Sequence, residues 1–142
     1  MGQYRFVEDV ALADCAIDVD GRDPGDVLET AAAALAELMV DPASLDLTVS
    51  RRLAVEAPEL DLLLYDWLSE LIFLKDRDGV VFTKATVRIT GSGPYKADAE
   101  LLGGIIDRAR TTLRADAKAA TFHQLALERR GEEWQARVVI DI

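Results

Sequence analysis

Three carboxylates in this sequence have the type and setting to do chemistry: the side chains of Asp14 and Asp141, and the terminal carboxylate that follows Ile142. Aspartate is depleted from strand interiors, yet both side chains sit in alternating apolar stretches. Ala13, Cys15, Ile17 and Val19 point one way, with Asp14, Ala16 and Asp18 opposed. Val138, Ile140 and Ile142 share one face of a closing strand, with Gln135, Arg137, Val139 and Asp141 on the other. Hard cations are held by carboxylate, carbonyl and water oxygens. If the first and last strands are neighbours, the three groups can offer several oxygens to one ion. The same residues have a plainer reading, because strand-face aspartates are usually solvated. Spacing alone favours that plainer reading. Glu8, Asp9 and Asp18 also fit solvated positions and receive no role.

Lys118 lies in Ala115-Asp116-Ala117-Lys118-Ala119-Ala120-Thr121-Phe122-His123. A lysine among small apolar residues at the start of a strand suits the rim of a site, where its ammonium neutralises phosphate or carboxylate oxygens; a solvated lysine is the commoner case. His123 is the single histidine, which excludes a multi-histidine metal site and leaves one candidate general base. No serine or cysteine stands in a nucleophile motif. Gly91-Ser92-Gly93 and Gly103-Gly104 lack the helix and lysine of a phosphate loop and read as turn or bulge glycines. Cys15 and Trp67 read as core, and Trp134 as core or interface.

The elements that must position these residues follow from hydrophobic period. A half-buried strand spans residues 11 to 19 and stops at Asp20-Gly21. Asp23-Pro24 reads as N-cap and first helical residue of a helix running to Met39, which Asp41-Pro42 ends. A second strand covers Leu45 to Val55, with a break in phase near Ser50-Arg51-Arg52. Pro58 opens a strongly apolar helix that ends near Gly79. Strands follow over Val80 to Ile89 and Tyr95 to Leu102. A hairpin joins Thr121–Arg129 to Glu133–Ile142 across Arg130-Gly131. Residues 103 to 115 are ambiguous, with room for a short helix at Ile105 to Arg110. This order gives an α+β fold, mainly antiparallel sheet packed with two principal helices, in one domain over residues 1–142.

Composition bounds the function. The 142 residues carry 16 basic and 26 acidic side chains, a formal charge of −10. That balance opposes non-specific binding to a phosphate backbone and fits a cation or a basic partner. One cysteine allows no intrachain disulfide and fits a reducing compartment. No apolar run reaches signal-peptide or membrane-spanning length, so a soluble cytoplasmic protein is the expectation.

Five segments, in order over nearly the whole length, together resemble the archease family. They are Phe6 to Ile17 around the Ala13-Asp14 pair, the helix ending Leu38-Met39-Val40-Asp41, the run Leu62-Leu63-Leu64-Tyr65-Asp66-Trp67-Leu68-Ser69-Glu70-Leu71-Ile72-Phe73-Leu74, the motif Lys118-Ala119-Ala120-Thr121-Phe122-His123, and the closing Trp134 to Ile142. The resemblance implies a cytosolic accessory protein, not itself an enzyme, that activates an RtcB-type RNA ligase in tRNA splicing and RNA repair. Such a protein promotes guanylylation of the ligase from GTP and lets it turn over repeatedly. RNA would be contacted mainly through the ligase. By motif match the metal-binding positions fall on Asp14, Asp141 and Ile142, with calcium the associated ion, and the functional basic residue on Lys118. Gly103-Gly104 replaces the family's commoner Gly-Glu, Arg110-Thr111 its Arg-His, and Asp9-Val10-Ala11-Leu12 its His-Thr form. Two other readings stand beside this one: an autonomous metal-dependent phosphohydrolase, and a chaperone-like modulator of tRNA-modifying enzymes.

Overall fold

A computed structural model describes residues 2–7 and 14–142. The expected beginning of the first long strand, at residues 11 to 13, lies outside the described residues, as do Glu8 and Asp9. The elements are β1 (Gln3–Val7), β2 (Asp14–Gly21), α1 (Pro24–Met39), β3 (Val49–Ala57), α2 (Leu60–Asp78), β4 (Val80–Thr90), β5 (Tyr95–Ile105), β6 (Ala119–Ala120), β7 (Ala126–Arg130) and β8 (Glu133–Asp141). The fold is α+β. One sheet runs β1-β2-β8-β6, with β7 also paired to β8; the other runs β3-β5-β4. Every strand pair is antiparallel.

The helices draw both sheets onto one core. Asp23 starts α1 by accepting the Asp26 N–H at 2.8 Å, which satisfies a donor that the first turn leaves open. Leu28, Ala31 and Leu35 are fully or almost fully buried on this helix. Trp67 of α2 is wholly buried, and its indole N–H donates to the Leu28 carbonyl at 2.8 Å. The helices are thus joined by packing and by a bond that spares the buried indole an unmet donor. Gly79 ends α2 in the left-handed region at φ 66°, with its N–H on the Lys75 carbonyl at 2.8 Å, a cap that glycine adopts without steric cost. No helix among the described residues is long and apolar enough to cross a membrane.

Four details differ from the sequence reading. β1 is a strand the period did not single out, because five residues at a sheet edge give a weak signal. β3 starts at Val49, not Leu45, because Leu45 closes a short turn over Pro42–Ser44, and it has no break: its burial alternates from Val49 to Ala57. Arg51 occupies a half-buried position in phase with Val49 and Leu53, and its guanidinium reaches Asp78 at 2.6 Å. A long side chain with a paired head can fill an inward position that counting assigns to an apolar residue. β5 continues through Gly103-Gly104 to Ile105, with no helix after it. A side chain at Gly103 would collide with the Val81 carbonyl, and one at Gly104 with the Asp46 carbonyl. The ladder shifts register between Phe82 and Lys84, opposite this glycine pair, so these are close-approach glycines beside a bulge.

The fourth difference bears on the site. Only Ala126–Arg130 forms the outer arm of the closing hairpin, turning at Gly131 with φ 67°. Residues 121 to 125 form a loop in which Gln124 takes φ 55°, so His123 sits on an exposed loop instead of in a strand.

Candidate functional site

β8 lies in the middle of its sheet, so its last residue has neighbours on both sides. Asp141 pairs with Asp14 of β2 on one side and with Ala119 of β6 on the other. The Lys118 N–H donates to the Asp141 carbonyl at 2.8 Å. The backbone therefore brings Asp14, Asp141, Ile142 and Lys118, drawn from opposite ends of the sequence, to one end of one sheet. Asp14, Asp141 and Ile142 are half-buried and Lys118 is exposed. Cys15 and Ile140, the next pair inward, are buried, and Ala117 before Lys118 is fully buried. The carboxylates thus emerge at the edge of a packed apolar layer.

The electrostatics of this end are unbalanced. Side chains directly opposite across an antiparallel pair have Cβ atoms about 4.5–5.5 Å apart, and like charges placed so are destabilising. Neither Asp14 nor Asp141 forms an ion pair among the described residues. Four residues along, the same face carries the opposite solution. Asp18 stands across from Arg137, which grips it with two bonds, Nε to Oδ1 at 2.6 Å and Nη2 to Oδ2 at 2.8 Å. The Arg137 hydrogen bonds outweigh burial and hold the Asp18 carboxyl below the usual carboxylate range. Arg5 adds a longer contact to Asp18 at 3.7 Å and one to Asp20 at 3.2 Å. One face thus holds a neutralised acid in its middle and two unneutralised acids at its end.

Oxygen donors in that arrangement suit a hard divalent cation. Among the described residues no three His, Cys, Asp or Glu side chains gather into a cluster. Two aspartates alone would leave most of the coordination of such a cation to other oxygens.

The loop that presents Lys118 is fastened from outside the sheet. Lys75, in the last turn of α2, has a side chain only 9% exposed. Its ammonium donates to Asp116 Oδ1 at 2.6 Å and to the Ala117 carbonyl at 2.9 Å. Burial pulls the Lys75 ammonium down, but Asp116 and Asp76 outweigh it and hold its pKa above the usual lysine range. Upstream, the Arg114 and Ala115 N–H groups cap the Met39 and Leu38 carbonyls at the end of α1, at 2.8 and 3.1 Å. The segment between β5 and β6 is thus irregular in path but tied to the ends of both helices. Thr111 belongs to this bracing: its hydroxyl accepts the Asp107 N–H at 2.9 Å.

Comparison with known proteins shows the family. The family model described as the archease protein family matches residues 4–142. The chain belongs to the archease family. An archease of Methanosarcina barkeri is 31% identical over 99% of this chain and 96% of its own length. One of Pyrococcus furiosus is 33% identical over the full length of both. A Methanobacterium thermoautotrophicum protein solved in solution is 29% identical, with a TM-score of 0.85 and 98% of each chain covered. The crystal structure of a Thermotoga maritima archease, described there as a possible chaperone, has a TM-score of 0.65 at 23% identity and speaks for the fold.

Three features escaped the sequence reading. The Asp18–Arg137 pair was within reach: once Asp14 is set opposite Asp141, antiparallel counting sets Asp18 opposite Arg137. Lys75 gave no signal beyond a helix end, since its partners lie about forty residues away in an irregular segment. The stack of Tyr65 on Phe122, with ring centroids 4.1 Å apart and planes at 14°, joins two motifs that no spacing rule connects.

Proposed function

We propose that this protein is an accessory activator of an RtcB-type, GTP-dependent RNA ligase, promoting ligase guanylylation and repeated turnover in tRNA splicing and RNA repair. The observation that carries the reading is the placement of Asp14 opposite Asp141, with Lys118 bonded through its backbone to the same residue. The sequence resemblance points to the kind of partner, and the acidic end to the chemistry. Asp14, Asp141 and the terminal carboxylate of Ile142 would hold a divalent cation, calcium by family resemblance. Such a cation supplies positive charge for phosphate oxygens.

The chain's own residues do the rest. Asp14 and Asp141 set the position of the acidic end through the strand register. Lys118 offers an ammonium to phosphate oxygens of the ligase-bound nucleotide. Lys75 and Arg114 hold the segment leading to Lys118, so that little order remains to be gained on docking. Stabilising charge on a pyrophosphate leaving group is electrostatic work that preorganised groups perform well. The formal charge of −10 keeps free RNA away, so RNA is met through the ligase, in the cytoplasm.

The test is an extension by one residue after Ile142. It displaces the terminal carboxylate and lowers ligase guanylylation while the chain stays folded; full stimulation by the extended chain contradicts the role of that carboxylate. Pyrophosphate release from GTP by this protein alone would favour the phosphohydrolase reading. Protection of an unrelated client from aggregation, unaltered by Asp14→Asn, would favour the chaperone reading.

A further inference from the structure

The acidic end has an aromatic neighbour that the activator reading does not use. Phe122 follows Lys118 by four residues and is 63% exposed, the most exposed of the large apolar side chains among the described residues. It is not loose. One face of its ring lies nearly flat on Tyr65 of α2, at 4.1 Å between centroids and 14° between planes. The loop beneath is tied at both ends. Thr121 places its N–H and its hydroxyl on the Val139 carbonyl, each at 3.0 Å. The Gln124 side-chain carbonyl accepts from Arg137 at 3.0 Å. A largely exposed ring backed on one face by a second ring is a platform for a third flat π system.

We propose that Phe122, backed by Tyr65, is the stacking seat for the base of a nucleoside triphosphate whose phosphates reach Lys118 and the Asp14–Asp141 end. The parts of a metal-chelated nucleotide match the parts of this surface. Its base meets a largely exposed ring. Its phosphates meet an exposed ammonium that has no ion pair among the described residues. Its cation meets two facing carboxylates. Four residues of chain hold the Cα atoms of Lys118 and Phe122 within about 14 Å of each other, the scale of an extended nucleotide. The excess acidity of the chain disfavours a long polyanion here, but not one nucleotide whose charge a divalent ion largely cancels. Stacking is tolerant of base identity, so the seat does not by itself select guanine. The phosphate end rests on the cation site proposed above; the stacking end stands on the Tyr65–Phe122 geometry alone.

The experiment is a titration of the free, full chain, followed by NMR of labelled phenylalanine and tyrosine rings. The probes are GTP with calcium and, separately, inorganic tripolyphosphate with calcium. GTP moves the Phe122 and Tyr65 ring signals saturably, and tripolyphosphate does not. Phe122→Ala weakens GTP binding by about tenfold and leaves tripolyphosphate binding unchanged, with a melting temperature lower by about 2–5 °C from the lost stack on Tyr65; Phe122→Trp restores GTP binding. Ring signals that stay still in saturating GTP, or equal GTP binding by Phe122→Ala, overturn the proposal. So does a Phe122→Ala variant that loses ligase stimulation while GTP leaves the wild-type rings unmoved, because Phe122 is then an anchor for a protein surface. Ligase stimulation by the wild type and its loss in Asp14→Asn are scored separately, so the activator reading stands or falls on its own result.

Discussion

Asp14 and Asp141 face each other as direct partners across β2 and β8, although they lie at opposite ends of the sequence. Folding forces two like charges together at the rim of a buried apolar layer. A chain gains nothing from such a pair in isolation; it gains if something positive binds there.

This sets a stability trade. Without metal, Asp14→Asn removes like-charge repulsion of about 0.2–1 kcal/mol, and the melting temperature stays level or rises by about 1–3 °C. Saturating calcium raises the wild-type melting temperature, by about 5–10 °C at one hundred times the dissociation constant, and leaves the variant where it was. Differential scanning calorimetry with calcium and then with chelator makes the comparison.

Arg137→Leu strands Asp18, whose side chain is 12% exposed, with only the longer Arg5 contact. Breaking a largely buried pair from one side is costly. The one-third exposure of Arg137 and the remaining Arg5 reduce the loss to about 2 kcal/mol, read from urea midpoints. The carboxyl of Asp18 is held low in the fold, so the contribution of the pair is complete above the ordinary carboxylate pKa of about 3.9. It fades as pH falls through the lower folded value. The gap between wild type and variant therefore narrows in acid.

Asp66 gives the opposite sign. Burial pushes its carboxyl above the usual range, with no compensating partner. The folded chain holds this proton at a pH where the unfolded chain has released it, so ionisation costs stability once pH exceeds the ordinary carboxylate value. Asp66→Asn raises the melting temperature at neutral pH by about 1–2 °C. The gain disappears in acid, where both states of the wild type carry the proton.

Lys75→Met retains the apolar stem of a side chain that is nearly buried but removes the bonds to Asp116 and the Ala117 carbonyl. The expected cost is about 1–2 kcal/mol. Amide exchange speeds up at residues 116 to 118 before it does in β8, and ligase stimulation falls with it. Unchanged exchange at Lys118 would show that the segment is held by other bonds.

Much of this architecture could be read in the residues. Period two and period 3.6 located both helices and most of the strands, and the caps at Asp23 and Gly79 fixed helix ends, because these signals are local. The neighbouring of β2 and β8 was a condition posed by Asp14 and Asp141, and the register meets it. What escaped reading was non-local. Arg51 imitates an apolar position because Asp78 receives its head. Gly103 and Gly104 are set by carbonyls of other segments. Tyr65 meets Phe122 through a tertiary packing that neither segment specifies alone.

The central claim is that the facing carboxylates of Asp14 and Asp141 make this protein an activator of its ligase. The direct measurement is the rate of ligase guanylylation from GTP, with an RtcB-type ligase of the same source, in the presence of wild type or Asp14→Asn at matched folded concentration. The account predicts clear stimulation by wild type and none by a variant that melts at or above the wild-type temperature. Equal stimulation by the two proteins would contradict it.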